Sequence, residues 1–246
     1  MSLRPLFTAA RTPLEILYRD DALIVVNKPS GLAAHRGYSS EHGDYVLTRV
    51  RDLVGQHVFL AHRLDRATSG AIVLLLHANL VHPLQQSFEQ GQVQKKYLAL
   101  ARGRLLHEQL VDYAIPKGEG KDAARVDAQT RLVPLAVLEE RYTLVEAEPL
   151  TGRYHQIRRH LKHLHHPIVG DTTYGDGKQN RYARERFGLW RLFLHASRLT
   201  FPHPLTGQTV EIHAPLPDEL TSTLQALGHG APPQAPAREA PLAPDP

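Results

Sequence analysis

No cysteine occurs among the 246 residues, which excludes a disulfide framework and a thiolate metal site and fits a reducing compartment. No apolar run approaches the roughly 20 residues a membrane-crossing helix needs, and the N-terminus lacks the apolar core of a signal peptide. A soluble, cytoplasmic protein is therefore expected. The His-Glu-x-x-His spacing of zinc proteases is absent, and Lys117-Gly118-Glu119-Gly120-Lys121 lacks the Ser/Thr that completes a phosphate-cradling loop. No internal repeat is visible. What remains is ordinary globular composition, 42% hydrophobic and 22% charged, on a chain long enough to bury a core without covalent staples.

Charge is unevenly distributed. The chain carries a formal +4, yet Leu150 to Thr200 alone holds ten Lys/Arg against three Asp/Glu. The rest is net acidic. A basic stretch of this kind suits a polyanionic partner, nucleic acid before others. The histidines at His160, His163, His165 and His166 fit a basic, partly protonatable face better than a metal site, and none is expected.

Hydrophobic spacing divides the chain into elements. Residues 1–13 read as a lead-in. Leu14 to Tyr18 and Leu23 to Asn27 alternate as two strands of a hairpin about Arg19-Asp20-Asp21, and Asn27-Lys28-Pro29-Ser30-Gly31 is a turn. Val46 to Val54 is a helix stopped by Gly55. Ala71 to His77 is a buried strand. Leu80, Leu84 and Phe88 mark a short helix, and Lys95 to Arg102 a strand. Gly103 to Asp122 reads as a crossing loop. Strands follow at Ala128 to Leu138 and Arg141 to Glu148. His155 to Leu164 is a helix with Ile157, Leu161 and Leu164 inward and its arginines and histidines on the opposite face. A strand pair at Leu192 to Phe201 and Gln208 to His213 precedes a helix at Asp218 to Leu227. Residues 229–246 are a disordered Pro/Ala-rich tail. Strands outnumber helices and mix with them irregularly, which predicts an α+β fold over residues 14–228.

The chemistry centres on Ala61-His62-Arg63-Leu64-Asp65-Arg66-Ala67-Thr68-Ser69-Gly70. Asp65 sits between two arginines, where fixed cations favour the ionised carboxylate, just ahead of a buried strand. By composition alone this is a surface ion pair. His62-Arg63-Leu64-Asp65 with Thr68-Ser69-Gly70, however, resembles the active-site signature of RluA-type pseudouridine synthases. Three further segments match in order: Lys95-Lys96-Tyr97-Leu98-Ala99-Leu100, then Thr151-Gly152-Arg153-Tyr154-His155-Gln156-Ile157-Arg158 with Gly170-Asp171 and Tyr174-Gly175, then Leu194-His195-Ala196. Ala67 and Tyr154 depart from the common pattern.

The resemblance implies a mixed, mainly antiparallel sheet with flanking helices and a cleft holding Asp65. It implies an isomerase that breaks the N1–C1′ bond of uridine, turns the uracil and joins C5 to C1′, without metal or cofactor. Asp65 would attack C1′, stabilise an oxocarbenium-like centre, or take the C2′ proton. These routes stay open. Arg158 would pair with Asp65, and Tyr97 would stack on the uracil with its hydroxyl near C5. Arg63 would fill the space left by a flipped-out base, beside His62. Arg153, Arg159 and Lys162 would grip phosphates. The run from Arg158 to Asp171 is most like the branch acting on tRNA at position 65, working on RNA rather than DNA, away from membranes and as a monomer. A sibling acting on ribosomal RNA and a catalytically silent RNA-binding protein are the alternatives.

Overall fold

A computed structural model describes residues 14–35, 44–118 and 123–230. The expected lead-in over 1–13 and nearly all of the expected tail lie outside them. The chain opens with the antiparallel hairpin β1 (Glu15–Arg19) and β2 (Leu23–Lys28), then α1 (Val46–Val54), β3 (Phe59–Leu60) and β4 (Ser69–Leu75). A 3-10 turn, Ala78–Leu80, leads into α2 (Val81–Glu89), followed by β5 (Gln94–Arg102), β6 (Gln109–Asp112), β7 (Ile115–Pro116) and β8 (Arg125–Val126). The long pair β9 (Gln129–Leu138) and β10 (Tyr142–Pro149) precedes α3 (Gln156–His163) and α4 (Gly177–Phe187). The pair β11 (Leu194–Pro202) and β12 (Thr209–His213) and the helix α5 (Asp218–Ala226) complete the order.

Ten strands form one sheet in the order β1-β2-β4-β11-β5-β10-β9-β6, with β3 on β4 and β12 on β11. Every pairing in it is antiparallel except β4 with β11, which pair in parallel through His195↔Ser69 and Ala196↔Gly70. The fold is α+β, with two antiparallel half-sheets meeting at this short junction. Both faces of β2 and β4 are covered, so these strands read as continuous apolar runs. Ile24, Val26, Ile72 and Leu74 pack under α1 through Val46 and Val50. Val25, Ala71, Val73 and Leu75 face the 3-10 turn through Leu80 and α2 through Leu84. A third cluster joins β5 and β10 to α3, α4 and α5 through Ile157, Leu161, Phe187, Leu220 and Leu224.

Three expectations are corrected. The crossing loop contains β6, a four-residue edge strand on β9, and one arm of the β7–β8 hairpin. Only Val111 of β6 is buried, so its sequence carries almost no alternation. The helix α4 had not been expected. Its polar sequence hides it, although Asp176 caps its start by accepting from the Lys178 and Gln179 N–H groups and Gly188 closes it in the left-handed conformation. Finally, α3 does not turn all its cations outward: Arg158 and His160 are buried.

Candidate active site

One transverse row of the sheet builds the site. Lys28 lies opposite Gly70, Gly70 beside Ala196, Ala196 opposite Tyr97, and Tyr97 opposite Ala147. Gly70 has φ +116°, and a Cβ there would run into the Ala196 backbone, so only glycine allows the half-sheets to approach this closely. The loop carrying Asp65 emerges directly from this junction.

That loop is held by the turn after β2. Ser30 Oγ donates to Ala67 O at 2.8 Å, Gly31 N to Arg66 O at 2.8 Å, and Arg66 Nε back to Gly31 O at 2.8 Å. Beneath them Lys28 is fully buried, with Nζ donating to Leu32 O at 2.8 Å, Pro29 O at 3.0 Å and Arg66 O at 3.2 Å. Burial, aided by Arg191, lowers the Lys28 ammonium to about 7, with the Asp65 charge opposing. The turn reading of the sequence missed this role, because nothing local distinguishes a buried lysine from an exposed one.

Asp65 keeps a quarter of its side chain open to solvent, and the arginines beside it in sequence are not its partners. Arg63 is exposed and meets His35 Nε2 at 3.1 Å, while Arg66 is engaged as above. The basic groups within 4 Å of Asp65 Oδ2, among the described residues, are His155 Nε2 at 3.6 Å and Arg158 Nη1 at 3.8 Å. Arg158 is shared, and unequally. Its Nε and Nη2 make a two-pronged pair with Asp171, both at 2.8 Å. Asp171 also accepts from the Thr173 and Tyr174 N–H groups. Burial works to raise Asp171, but the Arg158 hydrogen bonds and these N–H groups outweigh it and hold the carboxyl below its usual range.

Tyr97 is half-buried where two core clusters meet. Burial, and secondarily the Asp65 charge, pushes its phenol up, so it stays protonated at neutral pH. His62 faces away from this group. Its ring lies against Phe88, 4.9 Å between centroids, and its Nε2 accepts from Val73 N at 3.1 Å. Burial, with Lys95 adding to it, lowers it to about 3, so it serves as a neutral tie on β4.

The basic residues spread along the loop before α3 and the helix itself. Gln156, buried, receives Thr151 Oγ1 and the Arg153 N–H on its amide oxygen and donates to Gln129 O and Thr130 Oγ1, which fixes the entry to the helix. Arg153 is exposed and donates to Asp127 O. Arg159 is committed to Tyr174 Oη at 2.9 Å and to the carbonyls of Pro116 and Gly118. Together with exposed Lys162 it lines a cavity of about 330 Å³ that also receives Tyr113, Arg125 and His163. Three of the four clustered histidines have separate partners. His160 bonds Thr130 Oγ1 and Tyr113 O, His163 stacks on Tyr113, and His166 meets Arg102 O. Among the described residues no group of three side chains could hold a metal ion.

Besides Lys28, sequence reasoning left out His155, Asp171 and Tyr174 as members of the group around Asp65. All three stood inside quoted motif segments, but their spacing gives no sign that His155 meets Asp65 or that Asp171 and Tyr174 hold Arg158 and His155 beside it.

Residues 22–163 match the family described as RNA pseudouridylate synthase. The chain is similar to tRNA pseudouridine synthase C of Salmonella typhi, 44% identical over 234 residues that cover 87% of this chain and 90% of the relative. It is 45% identical to tRNA pseudouridine synthase C of Pasteurella multocida over 220 residues, 82% of this chain and 90% of that one. Among solved structures, Human RNA Pseudouridylate Synthase Domain Containing 4 superposes with a TM-score of 0.72 at 28% identity, covering 87% of this chain and 93% of its own.

Proposed function

The chain belongs to the RluA-type RNA pseudouridine synthases, isomerases that act on uridine in RNA, and from that premise we propose that its substrate is tRNA, at position 65, with Asp65 as the reacting carboxylate. The observation that carries the reading is the environment of Asp65: a part-exposed carboxylate at the sheet junction, with two basic side chains on one oxygen and Tyr97 on the adjoining row. The tRNA assignment is supported by the names of the bacterial relatives.

In this reading the target uridine leaves its stack, because a reactive carboxylate cannot reach C1′ inside a helix. Arg63, exposed on the same loop, fills the vacated space. Asp65 acts at C1′ or C2′, the N1–C1′ bond breaks, and the detached uracil turns until C5 faces C1′. The new C5–C1′ bond then forms, C5 loses its hydrogen and N1 gains one, so atoms balance without an oxidant or a cofactor. Tyr97 supports the uracil by stacking and can donate a hydrogen bond. Its protonated phenol is not a resting-state base. Arg153 and Lys162 hold phosphates from the flank. Arg159, already tied to three oxygens, shapes that flank more than it grips. The catalytic unit is a single domain over residues 14–228, working as a cytoplasmic monomer on RNA. No helix among the described residues is long and apolar enough to cross a membrane.

Tritium release from unmodified tRNA labelled at uridine C5 tests this directly. Wild-type protein should release label and Asp65→Asn should not, and mapping of the product should place the new pseudouridine at position 65. Release only from ribosomal RNA would favour the sibling reading. Silence on both RNAs, with binding intact, would leave an RNA-binding protein.

A further inference from the structure

Of the two basic groups on Asp65, His155 is the nearer, and it is held on several sides. Its imidazole stacks on Tyr154 with centroids 3.7 Å apart and meets the Tyr174 ring edge-on at 5.6 Å. Its backbone caps α3 with φ +54°, a left-handed value uncommon outside Gly, Asn, Asp and His. On one side Nε2 faces Asp65. On the other, Nδ1 lies 3.0 Å from Tyr174 Oη.

An ionised Asp65 can only accept, so the arrangement that matches every group puts a hydrogen on His155 Nε2 and lets Nδ1 accept from the Tyr174 hydroxyl. Arg159 Nε can only donate, and it donates to Tyr174 Oη. The hydroxyl has one hydrogen of its own, and His155 Nδ1 is the acceptor within reach. An accepting Nδ1 leaves the single hydrogen of a neutral imidazole on Nε2, aimed at Asp65. The charges facing the ring are those of Asp65, Arg158, Arg159 and Asp171. Burial is the largest influence and lowers the ring below its usual value, with Asp65 opposing, so it is neutral at pH 7.

We propose that His155 is a positioning residue for Asp65: its Nε2–H, set by the Arg159–Tyr174 chain, holds one carboxylate oxygen and leaves the other free to meet the ribose. This rests on the reading of Asp65 as the reacting group. At 3.6 Å the contact is longer than a hydrogen bond and tightens when substrate fills the cleft, as catalytic contacts commonly do.

The test compares single-turnover tritium release, tRNA affinity and imidazole ¹⁵N shifts in the full chain. His155→Asn tolerates the left-handed backbone but is too short to reach Asp65. It should slow release about a hundredfold, the scale of a misplaced reacting group, with affinity unchanged. His155→Gln returns an N–H near the Nε2 position and should recover a large part of that loss. Tyr174→Phe should cost about tenfold, as removal of a supporting partner does, and nothing more in the His155→Asn background. The ¹⁵N signal absent from His155→Asn should report an Nε2–H tautomer in wild type. Wild-type rates in His155→Asn, a loss confined to affinity, or the same Tyr174→Phe penalty in both backgrounds would each overturn the proposal. Label release by Asp65→Asn in the same assay would instead remove the reading beneath it.

Discussion

The turn around Asp65 and the turn around Asp171 both offer a carboxylate to Arg158, at different distances and with different company. Asp171 is wholly enclosed, takes two 2.8 Å bonds from the guanidinium and two more from backbone N–H groups. Its accepting capacity is used up. Asp65 stands 3.8 Å from the same guanidinium, part-exposed, with no hydrogen bond to its carboxylate within normal length among the described residues. A carboxylate with satisfied lone pairs is a girder; one with open lone pairs beside fixed positive charge can react. The difference teaches that Arg158 is held in place by Asp171, which leaves its Nη1 facing Asp65. Arg158, expected to pair with Asp65, lies within ion-pair reach of it but makes its shorter, two-pronged pair with Asp171.

The contrast can be broken at either end. The largest effect is expected from Asp65→Asn, which on the proposed mechanism abolishes label release while tRNA binding and the melting temperature stay near wild type. A melting point that collapses with activity would mean that both aspartates are structural. Asp171→Asn should do the reverse. It leaves a buried guanidinium without its main counter-charge and should cost about 3–5 kcal/mol in urea unfolding, with a smaller, indirect loss of turnover. An unchanged urea midpoint would show that Asp65 alone suffices for Arg158.

A subtler difference appears with pH. The Asp171 carboxyl is depressed in the folded state, so the stability it contributes is present above the unfolded value of 3.8 and is lost as pH falls through the depressed folded value. Acid-unfolding curves of Asp171→Asn should therefore be shallower than wild type below that point. Equal slopes would mean that other carboxylates dominate. The smallest effect belongs to the flank. Lys162→Ala should weaken tRNA binding several-fold and reduce the salt slope by about one unit, as loss of one phosphate contact does, without altering the single-turnover rate.

Much of this arrangement was legible in the chain. The β1–β2 hairpin, the helix ended by Gly55 and the buried strand after Asp65 are written in local periodicity and punctuation, and the structure reproduces them within a residue or two. The α4 helix escaped because its sequence is polar on most of its surface, though its caps at Asp176 and Gly188 were there to be seen. Asp65 was singled out because the segment that resembles the family signature is contiguous. Of its neighbours Arg158 came only through the family resemblance and His155 not at all, because both arrive from another segment. His155 and Arg158 lie some ninety residues away along the chain, and the burial of Lys28 depends on the loop carbonyl of Arg66. Local patterns report elements; convergence of side chains is a property of the closed sheet.

The parallel seam between β4 and β11 has a consequence in time. Its two residue pairs, and the 2.8 Å contact from Ser69 Oγ to His195 Nδ1, span 126 residues, whereas the hairpins on either side close over short loops. Contacts that distant form late, since the intervening chain must be ordered before they are rewarded. Pulse-labelled hydrogen exchange should accordingly find amides near Ser69 and Ala196 protected after those of β9 and β10. A chain emerging from the ribosome has already made Asp65 and Tyr97 when it still lacks β11, so both are present before the seam beside them can close. On the proposed mechanism, activity is thereby deferred until nearly the last of the sheet has been synthesised.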